Sequence, residues 1–179
     1  MDDRSGKEIK SHSLYPFMFP LTAIALGIHL FFAIMFIGGS FFIWVVVWPA
    51  SYELTEDEKE RTRIVGRIAK RFAYFTHLSL TLLVLTGLYL AYGYLHGNIS
   101  NLVDTTGGNI LLTKIIVVGV DIVMIYTNNI YHGRKIMRLA REGKLDEVKR
   151  IRRITHAFSF ISMALLVVIV ALATLLQFF

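Results

Sequence analysis

The chain has 179 residues, 55% of them hydrophobic, a formal net charge of +6 and no cysteine. A mean hydropathy of +0.57 is too high for an ordinary soluble domain and points to one membrane domain over 1–179. Lack of cysteine excludes disulfides, thiolate or thioether haem attachment and iron–sulfur clusters, and the positive charge follows the membrane pattern rather than marking a nucleic-acid partner.

A helical crossing needs about 20 apolar residues, and windows at about 21–48, 72–95, 109–131 and 154–178 meet that length. They predict an all-α integral membrane four-helix bundle. The first window is too long for a signal-peptide core and has no small-residue cleavage site, so it is expected to stay as a helix. Of the basic residues, three precede the first span, six lie between spans one and two, nine between spans three and four, and none between two and three or after four. The positive-inside rule then places both charged loops in the cytoplasm and both termini outside a cell membrane.

In chain order, residues 1–15 are polar, and Pro16 and Pro20 bracket Phe17 to Phe19 as an interfacial segment. Pro20 suits a helix start, where its missing N–H costs nothing. Trp44 and Trp48 are expected at the cytoplasmic interface, and Pro49 is expected to end the span. Thr55-Glu56-Asp57-Glu58 reads as a capping box opening a helix that runs through 55–71 into span two. The Gly/Asn-rich stretch His96 to Asn109 reads as an outer loop without inferable order. Span three is expected to continue into a cytoplasmic extension over 132–153, with Gly143 as a stop and Asp146 capping the next helix.

Polar groups inside the spans carry the functional reading, because ionisable side chains in hydrocarbon are functional candidates by default. At ~1.5 Å of rise per residue, His29 lies roughly 28 Å above Trp48 and Lys114 roughly 27 Å above His132. His77 lies roughly 9 Å above Arg71 and His156 roughly 5 Å above Arg153. The groups therefore form an outer layer, His29 with Lys114, and an inner layer, His77 with His156. His29 and His77, about 20 Å apart along the normal, cannot share one iron. Ligands on facing helices of a bundle point inward, so the two layers predict one or two haem b groups, with His29, His77 and His156 as iron ligands. Two stacked haems would carry electrons across the membrane to or from a quinone or redox protein.

Each group also has a structural reading. A histidine near a span end is often simply interfacial or hydrogen-bonded, which applies to His77 and His156 and is preferred for His96 and His132; His12 lies on the polar tail. Lys114 either snorkels to the surface, pairs with a haem propionate, or acts on iron or protons. Asp121 lies near mid-membrane, where a bare carboxylate is expensive; it is a candidate for catalytic proton handling together with Lys114. Lys114, Asp121 and Asn128 recur at intervals of seven and share one helix face, expected to turn into the bundle. Met35, Met124 and Met163 fit core gaps, or thioether ligation of Cu(I) in a copper transporter. Homo-oligomerisation and packing against a larger complex are further readings open to such a bundle.

Three stretches, IHLFFAIMFIGGSFFIWVVVWPA, GRIAKRFAYFTHLSLTLLVLTGLYLAYG and TTGGNILLTKIIVVGVDIVMI, together resemble the copper-resistance protein D (CopD) membrane family. That resemblance implies a membrane helical domain linked to copper uptake. The chain is also similar to HemJ-type protoporphyrinogen oxidases, four-helix proteins that bind b-type haem. There a histidine of the first helix and a lysine of the third are functional; His29 and Lys114 match those positions, with Ile110 where those proteins carry an arginine. This second resemblance implies an oxidoreductase acting on a porphyrinogen.

Overall fold

The computed structural model describes residues 15–179, with side chains from Pro20 onward. The polar tail with His12, and the side chains of the Phe17–Phe19 segment, lie outside the described residues. Four long rods and their connections make up the rest. Rod one joins α1 (Tyr15–Phe42), a π-helical turn (Ile43–Val47) and α2 (Trp48–Leu54). Rod two is α3 (Glu58–Tyr94), and a short α4 (Asn101–Asp104) follows it. Rod three joins α5 (Thr106–Tyr126), a second π-helical turn (Thr127–His132) and α6 (Gly133–Arg141). Rod four is α7 (Leu145–Leu175) with a closing 3₁₀ turn (Leu176–Phe178). All four rods are long and apolar enough to cross a membrane.

Burial is inverted relative to a water-soluble domain. Arg61, Thr62, Thr76, Ser79, Asp121 and Arg152 are buried, while Ile34 and Val123 are 70% and 65% exposed. Lipid solvates the outward apolar side chains, and the interior must satisfy the polar ones. The rods pack as two hairpins, α1 on α3 and α5 on α7, with lighter contact between the pairs through α1 with α7 and α3 with α6. Phe36, Leu80 and Leu166 form the mid-bundle core, joined by Ile122 and Ile125 of rod three. A second core, Leu139, Ala140, Val148 and Ile151, closes the α6–α7 hairpin at the basic end.

Several boundaries differ from the sequence expectation. The helical backbone begins before Pro20, at Tyr15. Pro49 does not end rod one, which runs on to Leu54. The π turn before it explains this: the Trp48 N–H reaches back five residues to the Ile43 carbonyl, widening the helix where Pro49 supplies no donor. No Thr55–Glu58 capping box forms. Asp57 is the cap, accepting from the Lys59 N–H at 2.9 Å, while Thr55 accepts from the Asp57 N–H. Glu58 instead binds Arg61 and Arg152, charged donors stronger than a backbone N–H. Asp146 caps nothing; α7 starts at Leu145, leaving Asp146 and Glu147 in the first turn, where the helix dipole favours them.

Gly143 does stop α6. Its φ is +75°, the Lys144 N–H bonds the Leu139 carbonyl and the Gly143 N–H bonds the Ala140 carbonyl, the Schellman pattern. The far end of α3 closes the same way, but with His96 in the glycine position at φ +53°. There the Gly97 N–H bonds the Tyr92 carbonyl at 3.1 Å and the His96 N–H bonds that of Gly93 at 3.0 Å. The outer loop is ordered: Asn101 donates to the Leu95 carbonyl, and Thr105 caps α5 by accepting from the Gly108 N–H. A Cβ at Gly108 would collide with the backbone of Asn101 and Leu102. His96→Gly is expected to raise stability in detergent by about 0.5–1 kcal/mol and His96→Val to lower it, read from thermal or denaturant unfolding.

Candidate functional site

Where the two hairpins meet at the basic end they leave a cleft of about 790 Å³. Both π turns border it, through Trp44 of the first and Asn128 of the second. A π turn adds a residue to the helical circuit and re-aims the side chains beside it, and such turns are common at functional sites. His77 of rod two and His156 of rod four line this same cleft. So do Met124 and Met163. Its mouth carries Lys70, Arg134, Arg138 and Arg141.

Neighbours hold each inner imidazole. His77 Nδ1 lies 3.2 Å from the Tyr126 hydroxyl, the rings tilted at 33° with centroids 5.1 Å apart. His156 stands edge-on to Trp48, centroids 4.0 Å apart, and Arg152 lies one turn earlier. Trp48 and Trp44 therefore do not stand as outward belt anchors: Trp48 packs among His156, Tyr52 and Arg152, and Trp44 against Phe160. Three buried donors in the cleft wall, Trp44 Nε1, Thr76 Oγ1 and Thr155 Oγ1, have no partner among the described residues. Each such group costs about 1–3 kcal/mol when unsatisfied, so the cleft is chemically suited to an occupant that accepts hydrogen bonds.

Asp121 and Ser162 sit just behind that wall. The Asp121 carboxyl is 3% exposed, and the Ser162 hydroxyl donates to its Oδ1 at 2.5 Å. Ser162 also borders the cleft. One helical repeat away, Asn128 donates to Ser159 at 3.1 Å and lies 3.3 Å from His132 Nδ1. His132 also packs against Phe158, so its ring is fully engaged in the α5–α7 contact.

The outer layer is separate, and neither His29 nor Lys114 lines the cleft. Thr86 gives its one hydroxyl proton to the Leu82 carbonyl at 2.6 Å and lies 2.8 Å from His29 Nδ1. With the hydroxyl proton on Leu82, the second bond is made by the His29 tautomer protonated on Nδ1. A neutral imidazole protonated on Nδ1 keeps its lone pair on Nε2, the atom available to a metal or a proton. Gly87 leaves space for the ring: a Cβ there would lie 3.2 Å from His29 Cε1. The structure thus brings His77 and His156 to one cleft, leaves His29 and Lys114 outside it, and partners Asp121 with Ser162.

A network of charges closes the basic end. Glu58 binds Arg61 at 2.6 Å and also binds Arg152, whose other nitrogen donates to Thr62 at 2.6 Å. Arg61 further donates to the Thr55 and Ser51 carbonyls and stacks over Tyr52. Lys144, at the exposed tip of this end, has its pKa raised chiefly by the hydrogen bond to Glu142.

Sequence reasoning missed Trp44, Thr76, Thr155, Ser162 and Tyr126 as site residues. The available signal was the density of hydroxyls beside the histidines, in Thr76-His77 and Thr155-His156. Among the described residues no three His, Cys, Asp or Glu side chains gather as a metal-binding group. Fold and burial together define a multi-pass α-helical membrane protein with a largely apolar cleft, set with a few polar groups, between its hairpins. No family model, no curated protein and no solved structure matches the chain.

Two outcomes follow from this geometry. Glu58→Gln leaves two buried guanidinium groups without their acid, and unfolding in detergent is expected to come about 3–5 kcal/mol easier. Thr86→Val leaves the His29 Nδ1–H unpaired; a loss of about 1–3 kcal/mol is expected, with a changed tautomer signature in ¹⁵N-histidine NMR.

Proposed function

We propose that the protein is a b-type cytochrome of the cell membrane, both termini outside, that moves electrons within or across the bilayer. The observation that carries this reading is His77 and His156 lining one cleft from opposite hairpins. A cleft of about 790 Å³ falls within the usual 300–1,000 Å³ range of cofactor sites. Flat aromatic side chains, Trp44, Trp48, Phe72 and Phe158, offer walls to a macrocycle. Lys70, Arg134, Arg138 and Arg141 at the mouth complement the two carboxylates of haem, and Trp44, Thr76 and Thr155 supply unused donors. The bound iron would supply one-electron chemistry, while the axial imidazoles and the polarity of the cleft would tune its potential. Tyr126 would orient His77, as hydrogen-bonded groups around a ligand do. At the outer layer, Thr86 orients His29 so that its Nε2 faces away from the bond, with Lys114 beside it for a second haem. Asp121, reached through Ser162, is the group suited to proton handling beside the cleft.

Copper passage is the second reading, favoured by Met124 and Met163 lining the cleft together with His77. It agrees with the CopD resemblance, as the haem reading agrees with the HemJ resemblance.

Purified protein is expected to be red, with a Soret band that shifts on adding dithionite. His77→Ala and His156→Ala should each remove one haem equivalent in a haem-content assay while helical content stays unchanged. Colourless protein that takes up Cu(I), and loses that uptake in Met124→Leu and Met163→Leu, would replace the cytochrome with a copper carrier.

A further inference from the structure

A second, smaller pocket of about 320 Å³ lies at the basic end, on the far side of His156 from the cleft. Tyr52, Glu58, Arg61, Lys149, Arg152 and Arg153 line it. Four of these are cations and one is an acid. Glu58 is already committed to Arg61 and Arg152, both only 7% exposed. Lys149 and Arg153 have no ion pair among the described residues. The pocket therefore presents uncompensated positive charge over a rigid, buried guanidinium floor.

Its position selects the ligand. Arg153 stands at the foot of the apolar stretch of rod four, and Tyr52, 50% exposed, lines the pocket with it from the foot of rod one. Tyrosine and tryptophan mark the headgroup level of a bilayer. Seven residues toward the membrane from Tyr52 on the same rod, Val45 is 58% exposed and offers apolar surface to an acyl chain. Basic pockets between membrane helices on the positively charged side bind acidic lipid headgroups.

We infer that this pocket binds the phosphate headgroup of an acidic phospholipid, with Lys149 and Arg153 as its mobile contacts. Arg61 and Arg152 form the fixed floor beneath them. The pocket shares Arg152 and His156 with the larger cleft, while its proposed lipid contacts, Lys149 and Arg153, lie outside that cleft.

The test uses the purified full chain in neutral detergent, titrated with phosphatidylglycerol or phosphatidylcholine and followed by native mass spectrometry and thermal unfolding. Phosphatidylglycerol is expected to bind and stabilise, and the Lys149→Gln/Arg153→Gln pair to weaken that binding roughly tenfold or more. The Lys59→Gln/Arg63→Gln pair, which removes equal charge from the same end outside the pocket, should leave binding unchanged. A photoactivatable phosphatidylglycerol should label the unaltered protein in the segments around Tyr52 and Lys149–Arg153. Equal binding of phosphatidylcholine, equal loss in both double variants, or labelling elsewhere would overturn the inference. So would inorganic phosphate competing at the same concentration as the lipid, because the pocket would then be a site for free phosphate.

Discussion

Glu58 holds the two halves of the molecule together at their charged end. It is the first residue of α3, and it binds Arg61 on its own helix and Arg152 on rod four, ninety-four residues away. That single carboxylate thus fastens the first hairpin to the second. Buried guanidinium groups are tolerable only because each finds several acceptors: Glu58 and Thr62 for Arg152, and Glu58, Thr55 and Ser51 for Arg61. With the hairpins clamped there and joined at mid-bundle by Phe36, Leu80 and Leu166, the space between these points becomes the cleft.

The cleft owes its chemistry to the solvent around the protein. Hydrocarbon offers no hydrogen bonds, so polar side chains turn inward and must be satisfied there. Asp121 finds Ser162, Asn128 finds Ser159, His77 finds Tyr126 and His29 finds Thr86. All four of these pairs join different rods, so the polar interior also sets helix register. Among the described residues Trp44, Thr76, Ser79, Tyr94 and Thr155 are the exceptions, and Trp44, Thr76 and Thr155 line the cleft. Three of these unmet donors share one cavity whose lining also holds Lys70, Arg134, Arg138 and Arg141, which suits the cleft to an occupant that accepts hydrogen bonds.

The π turns show how the helices are adapted to it. Rod one widens at Ile43–Val47 and so carries Pro49 within a continuous helix, while rod three widens at Thr127–His132 among Asn128, Asn129 and Tyr131. Both turns fall at the level of the cleft, on rods belonging to different hairpins. A straight α-helix would keep its small backbone diameter and present Trp44 and Asn128 at other angles.

Much of this was legible in the residues alone. Four apolar runs, the clustering of Lys and Arg in two loops, and Gly143 as a helix stop follow from transfer energetics and backbone conformation, which act locally. Counting helical rise also set His77 and His156 at similar depth, and both line the cleft while His29 does not. Only the tertiary structure decided that Glu58 serves Arg152 rather than its own helix end, that Pro49 is accommodated, that Asp121 belongs to Ser162, and that the basic end holds two pockets. Those outcomes depend on which side chains from distant segments meet across helix faces, and periodicity along one helix carries no information about its partner's rotation.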